Sequence, residues 1–516
     1  MFLPGELPRQ AGSLSRGRCR WTGDIPNFGG MKRELCVLGG VLLAVVQTVS
    51  AGPAQKISWH HCATDAALDA VGARCGEVRV PLNYAEPGGR KITVALARRP
   101  ASDPARRIGT LVVEEGGPGP SRQGVGTLVR QAPEIAARYD LVGIDPRFFG
   151  SSTPLDCGWP TGEYVSLAQA APADRASFDR TVSAAKALAA RCASHRDVLP
   201  YAGTRSIARD LDVVRAALGE ERISYLGWSY GTYLGAVYTQ MFPDRTDRVV
   251  LDSAIAPNAY GPALTRETAP ADAAALRDWA AWASHHNGQY DLGATAAAVV
   301  RTVLDIQRAA ARRPLEVGEH RITADRIPGL LLTSEDTDES YAELGAQVRM
   351  LRDVARGLPA QPTAVQQEKL ALYTDTTVTR DFWFSASAAN ACADRAASRD
   401  PETYYADIRA HAATEPFYGP LARHLTACTF WPVAPPEPPT RIGNDRSVLI
   451  VGATGDPVTP YPGQQELHRA LRGSRMVTLA SAFRHGVYGY ASSACVTDAV
   501  GEYLLGGVLP AVDRFC

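Results

Sequence analysis

Ser229 sits in the pentapeptide Gly227-Trp228-Ser229-Tyr230-Gly231, after the apolar run 223–226 and before residues 232–238, which have helical period. A strand, Gly-x-Ser-x-Gly and a helix make a nucleophile elbow, a sharp turn that lifts the serine hydroxyl clear of the backbone. The glycines are a steric requirement, because a Cβ at either flank would meet the strand or the helix. A nucleophilic serine needs a base to take its proton and a carboxylate to orient that base. On an elbow, the acid and the histidine follow the serine in that chain order, each beyond a sheet strand. Asp456 fits the acid, in a Thr-Gly-Asp-Pro turn after the apolar run 448–452. His485 fits the base, in the loop Phe483-Arg484-His485-Gly486 after the last strand-like run. Asp252 ends the run directly after the elbow and stands as a second candidate acid, whereas Asp145, closing an earlier run, reads as structural. Among the other nine histidines His468 is the nearest rival, but it lies in a helical stretch before the last strand.

A tetrahedral oxyanion needs backbone N–H donors fixed in advance. One is expected from Tyr230, the residue after the nucleophile, and the second from Gly117 in the loop Gly116-Gly117-Pro118-Gly119, where glycines let backbone and substrate approach closely. These glycines do not cradle a phosphate, because no Lys-Ser/Thr follows them.

Such groups must be held at the ends of strands. Alternating apolar residues at 78–81 and 91–97 around Glu86-Pro87-Gly88-Gly89 predict a hairpin. Apolar runs at 108–114, 139–145, 223–226, 248–252, 447–451 and 475–479 predict further buried strands alternating with helices, hence an α/β chain with a mostly parallel sheet and helices on both faces. Between Asp252 and Ser447 the pattern changes to Ala-rich helical stretches at 271–283, 296–311, 340–356 and 364–373, which read as a largely helical insertion capping the strand ends. Residues 432–439, rich in proline, read as a stiff return to the core.

Lys+Arg and Asp+Glu both number 54 in 516 residues, so no global field favours nucleic acid or an anionic membrane. Lys32 and Arg33 precede the apolar run 35–46, and Val49-Ser50-Ala51 follows with a small-x-Ala cleavage pattern. Residues 31–51 therefore read as a secretory signal peptide, too short to span a bilayer, with 1–30 an upstream extension from a mis-chosen start codon. The mature, exported chain keeps eight cysteines, an even number that predicts disulfides. Of the 105 possible pairings, the sequence-local set Cys62–Cys75, Cys157–Cys192, Cys392–Cys428 and Cys495–Cys516 would let each bridge staple one loop or subdomain. No Cys-x-x-Cys is present, so a zinc site is not expected, nor any other metal or cofactor.

Together these features resemble the secreted tripeptidyl aminopeptidase and proline iminopeptidase-like serine peptidases of the α/β-hydrolase superfamily. The resemblance rests on Val80-Pro81-Leu82-Asn83-Tyr84, the Gly-Gly-Pro-Gly loop, Asp145-Pro146-Arg147 with Gly150 and Ser152, and the elbow continued to Gly235. It continues through Phe242-Pro243-Asp244-Arg245, Val250-Leu251-Asp252, Asn390-Ala391-Cys392-Ala393-Asp394 and Cys428-Thr429-Phe430-Trp431-Pro432. Asp456-Pro457-Val458-Thr459-Pro460, His485-Gly486 and the closing Cys495 and Cys516 complete it, so that it spans residues 62–516. It implies an α/β-hydrolase fold with a large helical cap inserted after the strand ending at Asp252: core at 52–257 and 441–516, cap at 258–440. It also implies a serine exopeptidase that releases residues or short peptides, tripeptides above all, from free N-termini. The rival reading keeps the same triad in an esterase or amidase acting on small acyl compounds. Either way the partner is a peptide or small acyl substrate, with no nucleic acid, no membrane span in the mature chain and a monomeric state expected.

Two departures bear on substrate range. Glu114-Glu115 precede the glycine loop where relatives carry Asn-Pro or a histidine, and Phe148-Phe149 follow Arg147 where relatives continue with glycine and a small residue. A carboxylate beside an oxyanion hole opposes the developing charge, so Glu115 is expected to turn away from it or to take a substrate ammonium. Glu335, with Asp336, Asp338 and Glu339 in the cap, is a further ammonium candidate by charge alone.

Overall fold

One nine-stranded sheet dominates the computed structural model, which describes residues 55–62, 65–374 and 383–516. The extension and signal peptide expected at 1–30 and 31–51 lie outside the described residues. In chain order the strands are β1 (Arg74–Pro81), β2 (Lys91–Arg99), β3 (Gly109–Glu114), β4 (Tyr139–Asp145), β5 (Ile223–Trp228) and β6 (Thr246–Asp252). There follow β7 (Leu315–Val317), β8 (His320–Ile322), β9 (Val448–Ala453), β10 (Arg475–Leu479) and β11 (Arg514–Phe515). The large sheet runs β1-β2-β4-β3-β5-β6-β9-β10-β11, and β7-β8 is a separate ribbon. β1–β2 and β2–β4 pair antiparallel, and every pair from β4 to β11 is parallel.

Parallel strands need both faces covered, and every residue of β4, β5 and β9 is buried. The period of two divides the strands between two apolar clusters. Val112, Tyr225, Leu251 and Ile450 enter one, with the helix Tyr230–Met241 and the helix Thr204–Ala217. Val113, Leu226, Val250 and Leu449 enter the other, with Val125 and Leu128 of the helix Gly124–Gln131 and Val500 and Leu504 of the helix Ala494–Gly506. Fully burying each such side chain contributes about 1.5–3 kcal/mol. Because the strands are parallel, the ends of β3, β5, β6, β9 and β10 open on one rim, where open α/β sheets bind ligands.

The motifs shared with the resembled family are largely structural. Arg147, fully buried, donates to both oxygens of Asp210 at 2.6 Å and to the carbonyls of Pro81, Leu82 and Tyr201, while Tyr84 Oη donates to Asp210 at 2.7 Å. Asp145 accepts the Ser121 and Arg122 N–H groups at 3.1 and 3.2 Å and pairs with the Arg122 guanidinium at 2.7 Å, which secures the chain just beyond the glycine loop. Phe148 and Phe149 differ from expectation: both are 1% exposed and belong to the core, Phe148 with φ 76°, so neither presents its ring to solvent at the site.

Between β6 and β9 the chain is mainly helical, including Ala269–His285, Ala296–Arg312, Asp338–Ala355, Ala364–Tyr373 and Trp383–Asp394. Trp279, Val303, Ile306 and Leu351 give this cap an apolar centre of its own. Two more helices, Thr161–Ala168 and Arg175–Arg191, were not read from the sequence; they leave the core between β4 and β5 and meet the cap, Ser166 Oγ donating to the Tyr373 carbonyl at 3.1 Å. The return at 432–439 is fastened by Glu437, which accepts from Arg205 at 2.5 Å and from Arg209 at 2.7 Å.

Four disulfides join Cys62–Cys75, Cys157–Cys192, Cys392–Cys428 and Cys495–Cys516, the sequence-local set. Among the described residues no helix is long and apolar enough to cross a membrane, and no group of three or more His, Cys, Asp or Glu could hold a metal ion. By loop-closure entropy, replacing Cys392 and Cys428 together by alanine, which frees a 36-residue separation, is expected to cost about 4 kcal/mol, and replacing Cys62 and Cys75 about 3 kcal/mol. Denaturant titration of the two double variants checks both the losses and their order.

Candidate active site

β5 ends at Trp228 and the helix Tyr230–Met241 begins two residues later, leaving Ser229 alone in the turn with φ 55° and ψ −121°. A non-glycine residue at positive φ is strained and persists only where its surroundings enforce it. Here the Ser229 N–H donates to the Asp252 carbonyl at 3.0 Å, and the Ser229 carbonyl accepts the Thr232 N–H and Oγ1 at 2.9 and 2.6 Å. The flanking glycines have the steric role expected of them. A Cβ on Gly227 would lie 2.6 Å from the Gly231 oxygen, and one on Gly231 would lie 2.7 Å from the Glu114 oxygen.

The glycine loop after β3 leans directly on this turn. A Cβ on Gly116 would come within 2.9 Å of Ser229 Cβ and 3.3 Å of the Tyr230 nitrogen. Gly117, beside it, is exposed and holds φ 106°. Tyr230 is the first residue of its helix, so its N–H is among those without an intrahelical partner. Its side chain is anchored in the interior: Tyr230 Oη meets Thr204 Oγ1 at 2.9 Å and accepts from Asn390 Nδ2 at 3.3 Å. Thr204 in turn donates from its N–H at 2.6 Å, and from its hydroxyl, to Asp394. The Asn390–Asp394 motif of the cap thus fixes the residue next to Ser229.

Asp456 and His485 are in direct contact. His485 Nδ1 stands 3.1 and 3.0 Å from the two Asp456 oxygens, with the acid fully buried and the imidazole 18% exposed. Every other contact of this carboxylate is with a donor: the Val458 and Thr459 N–H groups at 2.9 Å, Thr459 Oγ1 at 2.8 Å and Gln464 Nε2 at 3.0 Å. Burial would push the His485 imidazole down, but attraction to Asp456, with Asp252 behind it, outweighs burial and holds its pKa above the usual histidine value.

Asp252, the second candidate acid, does not touch the His485 ring. Its carboxylate accepts the N–H groups of Val487 at 3.1 Å and Tyr488 at 2.6 Å, and the Ser253 hydroxyl at 2.9 Å. Burial lifts its pKa to about 6 against the pull of these donors. Ser253 Oγ accepts the Gly486 N–H at 2.8 Å, and the Ser253 carbonyl accepts Thr459 Oγ1 at 3.0 Å. His468 is occupied elsewhere, by Ser474 at 2.7 Å and Asp513 at 3.1 Å.

The whole chain is similar to curated proteins of comparable length. Over 500 residues the chain is 33% identical to the Tripeptidyl aminopeptidase of Streptomyces lividans, covering 92% of this chain and 89% of that one. The chain belongs to the TAP-like serine peptidases of the α/β-hydrolase fold. Residues 415–516, which carry Asp456 and His485, match the family described as TAP-like protein. Serine protease Hip1 of Mycobacterium tuberculosis is 28% identical over 495 residues, covering 90% of this chain and 91% of that one. A protein of the same organism named Carboxylesterase B is 30% identical over 492 residues, covering 90% of each.

Within this TAP-like site the two unusual glutamates are each engaged by a hydroxyl of the core. Glu114, buried, accepts from Ser121 Oγ at 2.9 Å, and burial raises its pKa well above the carboxylate range. Glu115 accepts from Thr127 Oγ1 at 2.9 Å and is raised by partial burial. Glu335 is exposed and accepts from Ser340 Oγ at 3.1 Å, and Asp338 takes the Trp282 indole N–H at 2.7 Å. Asp336 is committed to the His485 loop through the Phe483 N–H at 2.8 Å. A cavity of about 360 Å³ adjoins Gly117 and Pro118, walled by Tyr164, Tyr260, Trp383 and Phe384.

Because the His485 pKa is raised in the folded chain, this group adds stability that is full below the unfolded value of about 6.5 and is lost as pH rises through the folded value. Histidine NMR is expected to place the wild-type midpoint above about 6.5. In Asp456→Asn burial acts without the opposing charge, so the midpoint should fall; an unmoved midpoint would contradict the assigned cause.

Proposed function

We propose that this protein hydrolyses peptides from their free N-termini, releasing tripeptides, through a Ser229-His485-Asp456 triad and an acyl-enzyme. The reading is carried by one observation: a serine held at positive φ on the rim where a buried carboxylate grips a histidine with raised basicity. His485 takes the Ser229 proton as the hydroxyl attacks the scissile carbonyl, and the oxyanion is received by the Tyr230 and Gly117 N–H groups. His485 then protonates the leaving amine, and water releases the acyl group by the same steps in reverse. Asp456, saturated with donors, keeps the imidazole tautomer and stabilises its charged form.

The free α-ammonium is assigned to the acidic side of the turn at Ser229. Glu115 and Glu335 both act on Tyr490, whose phenol they help to raise to about 12 after burial, and the Tyr490 ring meets Trp228 edge-on at 5.9 Å. Release of tripeptides is supported by the relative named Tripeptidyl aminopeptidase, and export by four disulfides, which persist in oxidising compartments. The relative named Carboxylesterase B favours a second reading, ester hydrolysis by the same three groups.

Three substrates separate these readings: a free tripeptide p-nitroanilide, its N-acetyl form and a short-chain p-nitrophenyl ester. Preference for the free tripeptide is expected, and turnover of only the blocked peptide or the ester would overturn the aminopeptidase reading. Ser229→Ala should lower kcat by roughly 10⁶-fold on any of them. Glu115→Gln should raise KM about tenfold for the free tripeptide, the value of one charge-assisted hydrogen bond, and leave the acetylated peptide unchanged.

A further inference from the structure

The loop that carries His485 is held from two sides. On the core side Ser481 N–H donates to Thr454 Oγ1 at 2.9 Å, Gly486 N–H to Ser253 Oγ at 2.8 Å, and Val487 and Tyr488 N–H to Asp252. Two of the N–H groups in between go to the cap, with one side-chain pair beside them. His485 N–H donates to the Ser334 carbonyl at 2.8 Å, Phe483 N–H donates to Asp336 Oδ2 at 2.8 Å, and Arg484 Nη1 pairs with Asp336 Oδ1 at 3.2 Å. Arg484 also closes its own loop, donating to the carbonyls of Gly486 at 3.2 Å and Tyr490 at 2.9 Å. The Arg484 and Asp336 side chains are 10% and 18% exposed, so their pairing is little screened by solvent.

Backbone N–H groups in such a place need acceptors, and those of His485 and Phe483 find theirs on residues 334 and 336, just before the cap helix Asp338–Ala355. We propose that Asp336 is a positioning residue for His485: the cap segment 334–336 grips the backbone at 483–485 and so sets the imidazole against Ser229. The cap then prepares the base as well as selecting the substrate. The proposal rests on His485 being the base of the reaction proposed above. It carries a consequence that a substrate-contact role does not: loss of Asp336 impairs turnover even of an ester too small to reach the cap.

The test measures kcat and KM on the free tripeptide p-nitroanilide and on p-nitrophenyl acetate, for the full-length wild type, Asp336→Ala and Asp336→Asn, with Ser229→Ala as the zero and melting temperature as the folding control. A displaced catalytic group costs on the order of 10²-fold, so Asp336→Ala is expected to lower kcat roughly ten- to hundredfold on both substrates by a similar factor, with KM little changed. Asp336→Asn, which keeps an oxygen for the Phe483 N–H but loses the charge facing Arg484, should show a smaller parallel loss. A rise in KM for the peptide with p-nitrophenyl acetate turnover intact would overturn the proposal, as would unchanged kcat on both substrates. Should Asp336→Ala fail to fold, Asp336→Asn decides on the same criteria. Turnover surviving in Ser229→Ala would instead overturn the triad itself, and a wild type active only on the ester would overturn the peptidase reading while the ester still tests Asp336.

Discussion

The rim depends on the last residue of β6 and the one that follows it. Asp252 and Ser253 receive hydrogen bonds from three chain segments that are remote in sequence: the Ser229 N–H of the elbow, the Thr459 hydroxyl of the acid turn, and the Gly486, Val487 and Tyr488 N–H groups of the histidine loop. Ser253, at φ 57°, is itself strained, and its N–H is tied to the Val451 carbonyl of β9. The relative placement of Ser229, Asp456 and His485 is therefore set by one corner of the sheet. A parallel sheet makes this possible, because it delivers the ends of β5, β6 and β9 side by side.

The same corner shapes the electrostatics. Asp252 and Asp456 are both fully buried, and both favour the protonated form of the imidazole. They are satisfied differently. Asp456 collects backbone, hydroxyl, side-chain amide and imidazole donors, whereas Asp252 has two backbone N–H groups and one hydroxyl and is lifted by burial to about 6. One carboxylate thus addresses the ring and the other the loop that bears it, and together they keep the His485 imidazole above its ordinary pKa despite desolvation.

What could be read from the chain was what local pattern encodes. β4 and β10 fall at 139–145 and 475–479 as their apolar runs indicate, and the helix Ala364–Tyr373 matches its period. The contact of Asp456 with His485 follows from chain order and strand ends alone. What escaped was either too short or too distant in sequence. β7 and β8 have three residues each and β11 two, fewer than an alternation needs to show. The buried Gln464, which steadies Asp456, is an ordinary helix residue by type. Asp252 is visible as a strand-end acid, but the loop N–H groups that it holds lie more than 230 residues away, so that structural task has no local signature. Phe148 and Phe149, expected to bear on substrate range, belong to the core, and the positive φ that Phe148 takes is one that its residue type does not announce.

The helix Trp383–Asp394 supplies Asn390 and Asp394 to the Tyr230 network, and Trp383 and Phe384 to the cavity beside Gly117. With Ser334 and Asp336 bonded to the loop at 483–485, the insertion after β6 reaches both Tyr230 and the His485 loop. The cap is consequently not an interchangeable module. Grafting a lid from another α/β-hydrolase onto this core would transplant a specificity and at the same time unpin the machinery beneath it. Chimaeras that respect function must carry the Asn390–Asp394 and Ser334–Asp336 contacts along with their partners in the core.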